Sequence, residues 1–185
     1  MSNFNTNQKM LAFAFLADVA LGEEMLLGAA KSNHKRIKEA LKATSFVKAM
    51  GNWELVYGPA IQVRSLAARN STVIFKNNNM NTSDPSLVIG VAGTNFVSKF
   101  DWFTEDFDVT SLASWQEVME SLGSTATFAN AGAISYGAHT ALLNTWNTKS
   151  QQTLIDRKTP IQWLKKNLPN NMSAGDTVAI TGHSL

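Results

Sequence analysis

The chain has 185 residues, 44% of them apolar, with 16 basic and 14 acidic side chains and a formal net charge of +2. That length fits one domain with a sizeable core, and the near-balanced charge offers no basic footprint for a nucleic acid. Cysteine is absent, which excludes a disulfide framework and a thiolate metal site but leaves the compartment open.

The first seven residues are polar and are expected to fray. From Gln8 to about Ala30, Leu11, Phe15, Val19, Leu26 and their neighbours fit helical spacing. Within this stretch Met10 to Gly22 resembles the apolar core of a secretory leader. Asp18 interrupts it, and the segment before it is nearly uncharged, so a helix of the domain is the better reading. No apolar run reaches membrane-spanning length. A second helix is expected over Lys35 to Met50, with Ile37, Leu41 and Val47 inward and Gly51-Asn52 as its stop. The run His34-Lys35-Arg36-Ile37-Lys38, followed by Glu39, reads as a solvated helix face.

Trp53 to Ile61 follows, with Gly58-Pro59 as a turn. Ser71 to Lys76 and Leu87 to Ala92 are predicted strands. The second is continuously apolar, as suits a strand buried on both faces. The Asn- and Ser-rich loop between them is short enough for an antiparallel hairpin.

Ser114-Trp-Gln-Glu117 has capping-box spacing and predicts a short helix to about Leu122. Another helix is expected in the second half of Ala131 to Asn147, carrying Leu142, Leu143 and Trp146. Thr159-Pro160 opens a third that runs through Trp163 and Leu164 to about Leu168, and Pro169 to Asp176 is a loop. Thr177 to Thr181 is short, β-branched and alternating, and predicts a buried strand. Strand–helix–strand alternation in this last third predicts an α/β fold with a partly parallel sheet, in a single domain over 1–185.

The final strand runs into Gly182-His183-Ser184-Leu185. A serine on a sharp turn after a strand has the form of a nucleophile elbow, G-x-S-x-G, whose flanking glycines leave room for neighbouring backbone. Acyl transfer by serine needs a nucleophile, a base, a group that orients the base, and oxyanion donors. Ser184 is the candidate nucleophile.

Gly182-His183-Ser184-Leu185 resembles the start of the G-H-S-L-G-G elbow of the class 3, fungal-lipase-like branch of the α/β-hydrolases. The upstream segment Val88-Ile-Gly-Val-Ala-Gly-Thr94 with Asp101-Trp102 is similar to that family's strand-G-[ST]-…-W segment, in the same order along the chain. The resemblance covers about residues 53 to 185 and implies the N-terminal part of an α/β-hydrolase-like sheet, with helices preceding it. It implies Ser184 as nucleophile, with oxyanion donors from the backbone N–H and hydroxyl of Thr94 and from the backbone N–H of Leu185. It also implies a lid over Ser98 to Phe107, whose Phe100, Trp102, Phe103 and Phe107 either meet lipid or pack in the core. The implied substrate is an acyl ester or lipid, met at a lipid interface, with no cofactor and no metal. Asp101, Glu105, Asp106 and Asp108 have no histidine near them in sequence and read as a solvated face.

Two departures qualify the resemblance. Asn130-Ala-Gly-Ala133 stands where the family carries a His-x-Gly-Phe-like step. The family's triad runs Ser, Asp, His, whereas His34, His139 and His183 all precede Ser184. The base and its orienting acid are therefore expected from sequence beyond Leu185, whether in the same chain or in a second one. The 185 residues alone are expected to be inactive. A lipase-like binding scaffold and another acyl-transfer enzyme, such as an acyltransferase or thioesterase, are the alternatives on the same fold.

Overall fold

Three β-branched and aromatic runs build the centre of the sheet. The computed structural model describes residues 4–19, 29–64, 67–79, 83–92, 111–127, 132–150, 157–171 and 177–182. Strands β1 (Trp53–Arg64), β2 (Ala67–Asn77), β3 (Leu87–Val91) and β6 (Val178–Gly182) form one sheet in the order β1-β2-β3-β6. The first three are antiparallel and β6 runs parallel to β3. A small antiparallel pair, β4 (Leu112–Ser114) with β5 (Ala133–Ser135), stands apart. The expected β2–β3 hairpin and the partly parallel α/β sheet are both present.

Alternation along the strands divides the core in two. Val73, Phe75 and Val88 point to one face, where they meet Phe13, Leu16 and Ala17 of α1 (Thr6–Val19) and Ile37 and Leu41 of α2 (Ala29–Lys42). Met50 of α3 (Thr44–Met50) joins the same cluster. Ile74, Leu87 and Ile89 point to the other face. There they meet Trp146 of α5 (Tyr136–Asn147) and Trp163, Leu164 and Leu168 of α6 (Pro160–Asn171). The result is a helix–sheet–helix arrangement with β3 buried on both faces, as its composition predicted.

Several boundaries differ from the sequence reading. Residues 1–3 lie outside the described residues, but the chain is tied down from Phe4, whose N–H donates to Ala49 O at 3.0 Å. Asn5 and Gln8 then cap α1 reciprocally, each backbone N–H donating to the other's side-chain oxygen at 3.0 Å. Helical spacing left the buried face of α1 open, and the structure selects it. Leu11 and Phe15 are each 51% exposed, whereas Phe13, Ala14, Leu16 and Ala17 are buried. The predicted helix over 35–50 is two helices, broken at Ala43, whose ψ of 132° is extended. The break turns Val47 outward, and the expected stop at Gly51 holds, its N–H donating to Val47 O.

Gly58-Pro59 is not a turn. The peptide is cis and lies inside β1, where the register shifts between Leu55 and Tyr57 and again between Tyr57 and Ala60. The shift explains why Leu55 and Tyr57, two residues apart, pack on opposite faces of the sheet. Gly58 sits at a φ of 92°, and an added Cβ would lie 2.5 Å from Thr72 O. β1 is an edge strand, which tolerates the missing N–H of Pro59.

The later helices start where the capping residues place them. Ser114 and Glu117 complete a capping box on α4 (Trp115–Ser121). Thr159 and Gln162 do the same for α6, at 3.1 and 3.2 Å. α6 continues through Pro169 to Asn171 rather than ending at Leu168. β6 is not buried as predicted. Its Ala179 packs against the cluster shared with α1, but Val178 and Ile180 on the opposite face are 40% and 66% exposed. Among the described helices, α5 packs mainly against β2 and α6 against β1, which leaves Val178 and Ile180 exposed.

Candidate active site

The two segments that carry the motif resemblance end on neighbouring strands. β3 and β6 pair in register from Leu87 opposite Val178 to Val91 opposite Gly182. Their C-terminal ends are therefore flush, about 4.8 Å apart across the ladder. The chain leaves β3 toward Thr94 and β6 toward Ser184 from this one edge of the sheet. In open α/β sheets, the carboxyl ends of parallel strands are where ligands bind.

Local contacts fix that edge. Ala92, the residue after β3, donates its N–H to Ser71 O at 2.9 Å, so β2 holds the exit of β3. Gly182 lies so close to β3 that an added Cβ would stand 3.1 Å from Val91 O. On the helix side, the Thr181 hydroxyl donates to Met10 O at 3.0 Å and pins β6 to α1. Gly90 lets α1 approach, since a Cβ there would stand 3.1 Å from both Phe13 O and Val73 Cγ2. At the opposite end of the pair, Ser86 and Leu87 both donate to Thr177 O, at 2.9 and 3.2 Å. There Lys9 of α1 pairs with Asp84 at 2.5 Å, with both side chains largely buried.

The predicted catalytic and oxyanion residues themselves, Thr94, Ser184 and Leu185, lie outside the described residues. So do His183, the lid segment 98–107 with its aromatic residues, the acids at 101, 105, 106 and 108, and the first two residues of the Asn130 step. What is described is the frame that carries two of these segments. Within that frame, Gly90, Thr181 and the Ala92 amide were not singled out from sequence. Their role comes from contacts with α1 and β2 that no local pattern announces.

The remaining histidines are engaged elsewhere. His34 Nδ1 lies 2.9 Å from Gly58 O, on β1, three strands across the sheet from β6. His139 is on α5, its Nε2 3.1 Å from Ser121 Oγ at the end of α4. Neither lies in a group of metal-ligating side chains, and no such group occurs among the described residues. No described helix is long and apolar enough to cross a membrane.

A mixed sheet with helices on both faces and a parallel pair at its edge matches half of a lipase α/β-hydrolase fold. The solved structure of M37 lipase superposes with a TM-score of 0.70 at 24% sequence identity, over 98% of this chain and 50% of that one. The chain thus spans half the length of that lipase. No protein-family model and no curated protein matches the chain.

Proposed function

We propose that the chain is the N-terminal part of a serine ester hydrolase of the lipase type. The observation that supports this most directly is the in-register pairing of Val91 with Gly182, which brings the strands carrying the two motif segments to one sheet edge. On this reading, the Ser184 hydroxyl oxygen bonds to the acyl carbon of an ester. The backbone N–H and hydroxyl of Thr94 and the backbone N–H of Leu185 donate to the oxyanion that forms. The alcohol leaves with a proton, and water then cleaves the acyl-enzyme to a carboxylic acid and free serine. His34 and His139 are engaged elsewhere and His183 is adjacent to Ser184, so the base and its orienting acid come from polypeptide outside these 185 residues. The isolated chain then turns over no ester.

A fluorophosphonate probe tests the reading on the full-length gene product. Labelling is expected at Ser184 and is expected to disappear in Ser184→Ala, together with hydrolysis of short and long acyl esters. Labelling that persists in Ser184→Ala, or a full-length product that never labels, would sink it. The latter result would favour a lipase-like binding scaffold, which keeps the fold without an activated serine.

A further inference from the structure

Gly90 of β3 and Thr181 of β6 stand opposite each other in the parallel ladder, one row below Val91 and Gly182. Helix α1 lies across this row and packs against both strands. Two of its carbonyls, Met10 O and Phe13 O, meet the row. Met10 O accepts the Thr181 hydroxyl at 3.0 Å. Phe13 O faces Gly90, where an added Cβ would stand 3.1 Å from it. Residues three apart share one side of a helix. One turn of α1 therefore spans both strands just before the chain leaves them toward Thr94 and Ser184.

The two strands are supported differently across the sheet. β3 is buried on both faces. β6 is supported from the α1 side, where Ala179 packs, whereas Val178 and Ile180 on the opposite face are exposed. The ladder with β3 fixes β6 along its length and within the sheet. It does not fix how far β6 stands from α1. The Thr181–Met10 hydrogen bond does so, and it leaves the helix intact, because a carbonyl keeps a second lone pair after its own helix bond. The neighbouring residue, Lys9, pairs with Asp84 in the loop before β3. Successive residues of α1 are thus tied to opposite ends of the strand pair.

We infer that Thr181 is a positioning residue, and that α1 is a crossbar setting the height of the strand leading to Ser184 against the strand leading to Thr94. On the ester-hydrolase reading, on which this rests, α1 gains a part in the reaction although it lies outside the region of motif resemblance. Acyl transfer needs the nucleophile and the oxyanion donors held together to within roughly 0.5 Å. Thr181 touches neither substrate nor reacting atoms and acts through the chain that joins it to Ser184. Valine has the same branched shape and suits a strand at least as well, so strand preference alone does not call for the hydroxyl.

The test uses the full-length gene product with Thr181→Val, which keeps the shape and removes the donor, and Thr181→Ser, which keeps the donor. Hydrolysis of a soluble short acyl ester is measured under conditions in which urea titration shows each variant fully folded. Thr181→Val is expected to lower kcat roughly tenfold with KM unchanged, as a small misplacement of the nucleophile does. Fluorophosphonate labelling of Ser184 should slow by the same factor, and Thr181→Ser should restore both. Hydrogen exchange in the peptide from Val178 to Leu185 should quicken in Thr181→Val and return to the parent's rate in Thr181→Ser. A bond with a structural role alone would lower the urea midpoint of Thr181→Val and leave kcat at the parent's value, which would overturn the assignment. Thr181→Ser as slow as Thr181→Val would also overturn it, by placing the effect in the methyl group. A parent that never labels at Ser184 sinks the ester-hydrolase reading instead. The exchange rates then still decide whether Thr181 braces β6, and equal rates in parent and Thr181→Val would show that it does not.

Discussion

Glu117 receives the Ser114 amide and the Ser114 hydroxyl on one carboxylate oxygen, at 2.7 and 2.8 Å. The Ser114 backbone bond first, then its hydroxyl, hold this carboxyl below its ordinary range, with a smaller contribution from His139. A carboxylate lowered in the folded state adds stability above its unfolded value and loses it as pH falls through the lowered one. Glu117→Gln should therefore unfold at a lower urea concentration than the parent near neutral pH, and the gap should close on acidification. A gap that stays constant with pH would show that the charge on Glu117 does not hold α4. This cap was legible in sequence because all its parts lie within four residues. The equivalent Asn5–Gln8 cap is as local, yet it falls in a stretch whose polarity suggested a frayed end. Gly182 was read as leaving room for a neighbouring strand or helix, and its missing Cβ does make room for the Val91 carbonyl of β3, although which strand it would meet was not legible.

Helix α1 shows why element type was easier to read than orientation. Its sequence is apolar on nearly every side, so helical spacing fits more than one face. Leu11 and Phe15 stand two residues to either side of Phe13, roughly 200° around the helix, and both are half exposed. Selection of the Phe13–Ala17 face is a matter of fit to the sheet. Phe13 packs edge-on to Trp53 at 4.6 Å and against Phe75 at 4.8 Å. Ala17 sits over Gly90, where an added Cβ would lie 3.3 Å from its own. None of these partners lies within α1. Gly90→Ala should push α1 away from β3 and cost roughly 1–3 kcal/mol by overpacking. Leu11→Gln should stay within about 0.5 kcal/mol of the parent. Urea unfolding of both variants checks the assignment, and a neutral Gly90→Ala with a damaging Leu11→Gln would reverse it. Strand β1 follows the same logic, since Gly58-Pro59 signals a break but not whether the chain turns back or bulges and continues.

At the scale of the molecule, the described sheet has two unlike edges, β1 and β6. β1 lies at one edge, with its proline and its register shifts, both common features of an edge strand. β6 lies at the other edge, in unbroken register with β3, and among the described residues its outer side has no strand partner. Sequence predicted β6 to be buried because its residues are short and β-branched. That composition reports what a strand is suited to, whereas burial depends on which helices reach it, and α5 and α6 pack mainly against β2 and β1. Ile180 therefore offers an apolar side chain, 66% exposed, beside an unpaired strand edge, the combination that templates association between chains. This 185-residue chain should sediment with a concentration-dependent coefficient, and Ile180→Lys should suppress that dependence. The same substitution should move the unfolding free energy by no more than about 0.5 kcal/mol, as expected for an exposed site. Unchanged self-association in Ile180→Lys would place the contact elsewhere, with the exposed Leu11 and Phe15 of α1 the next surface to substitute. Suppression would make the exposed β6 face, with Ile180 at its centre, the surface through which copies of this chain associate.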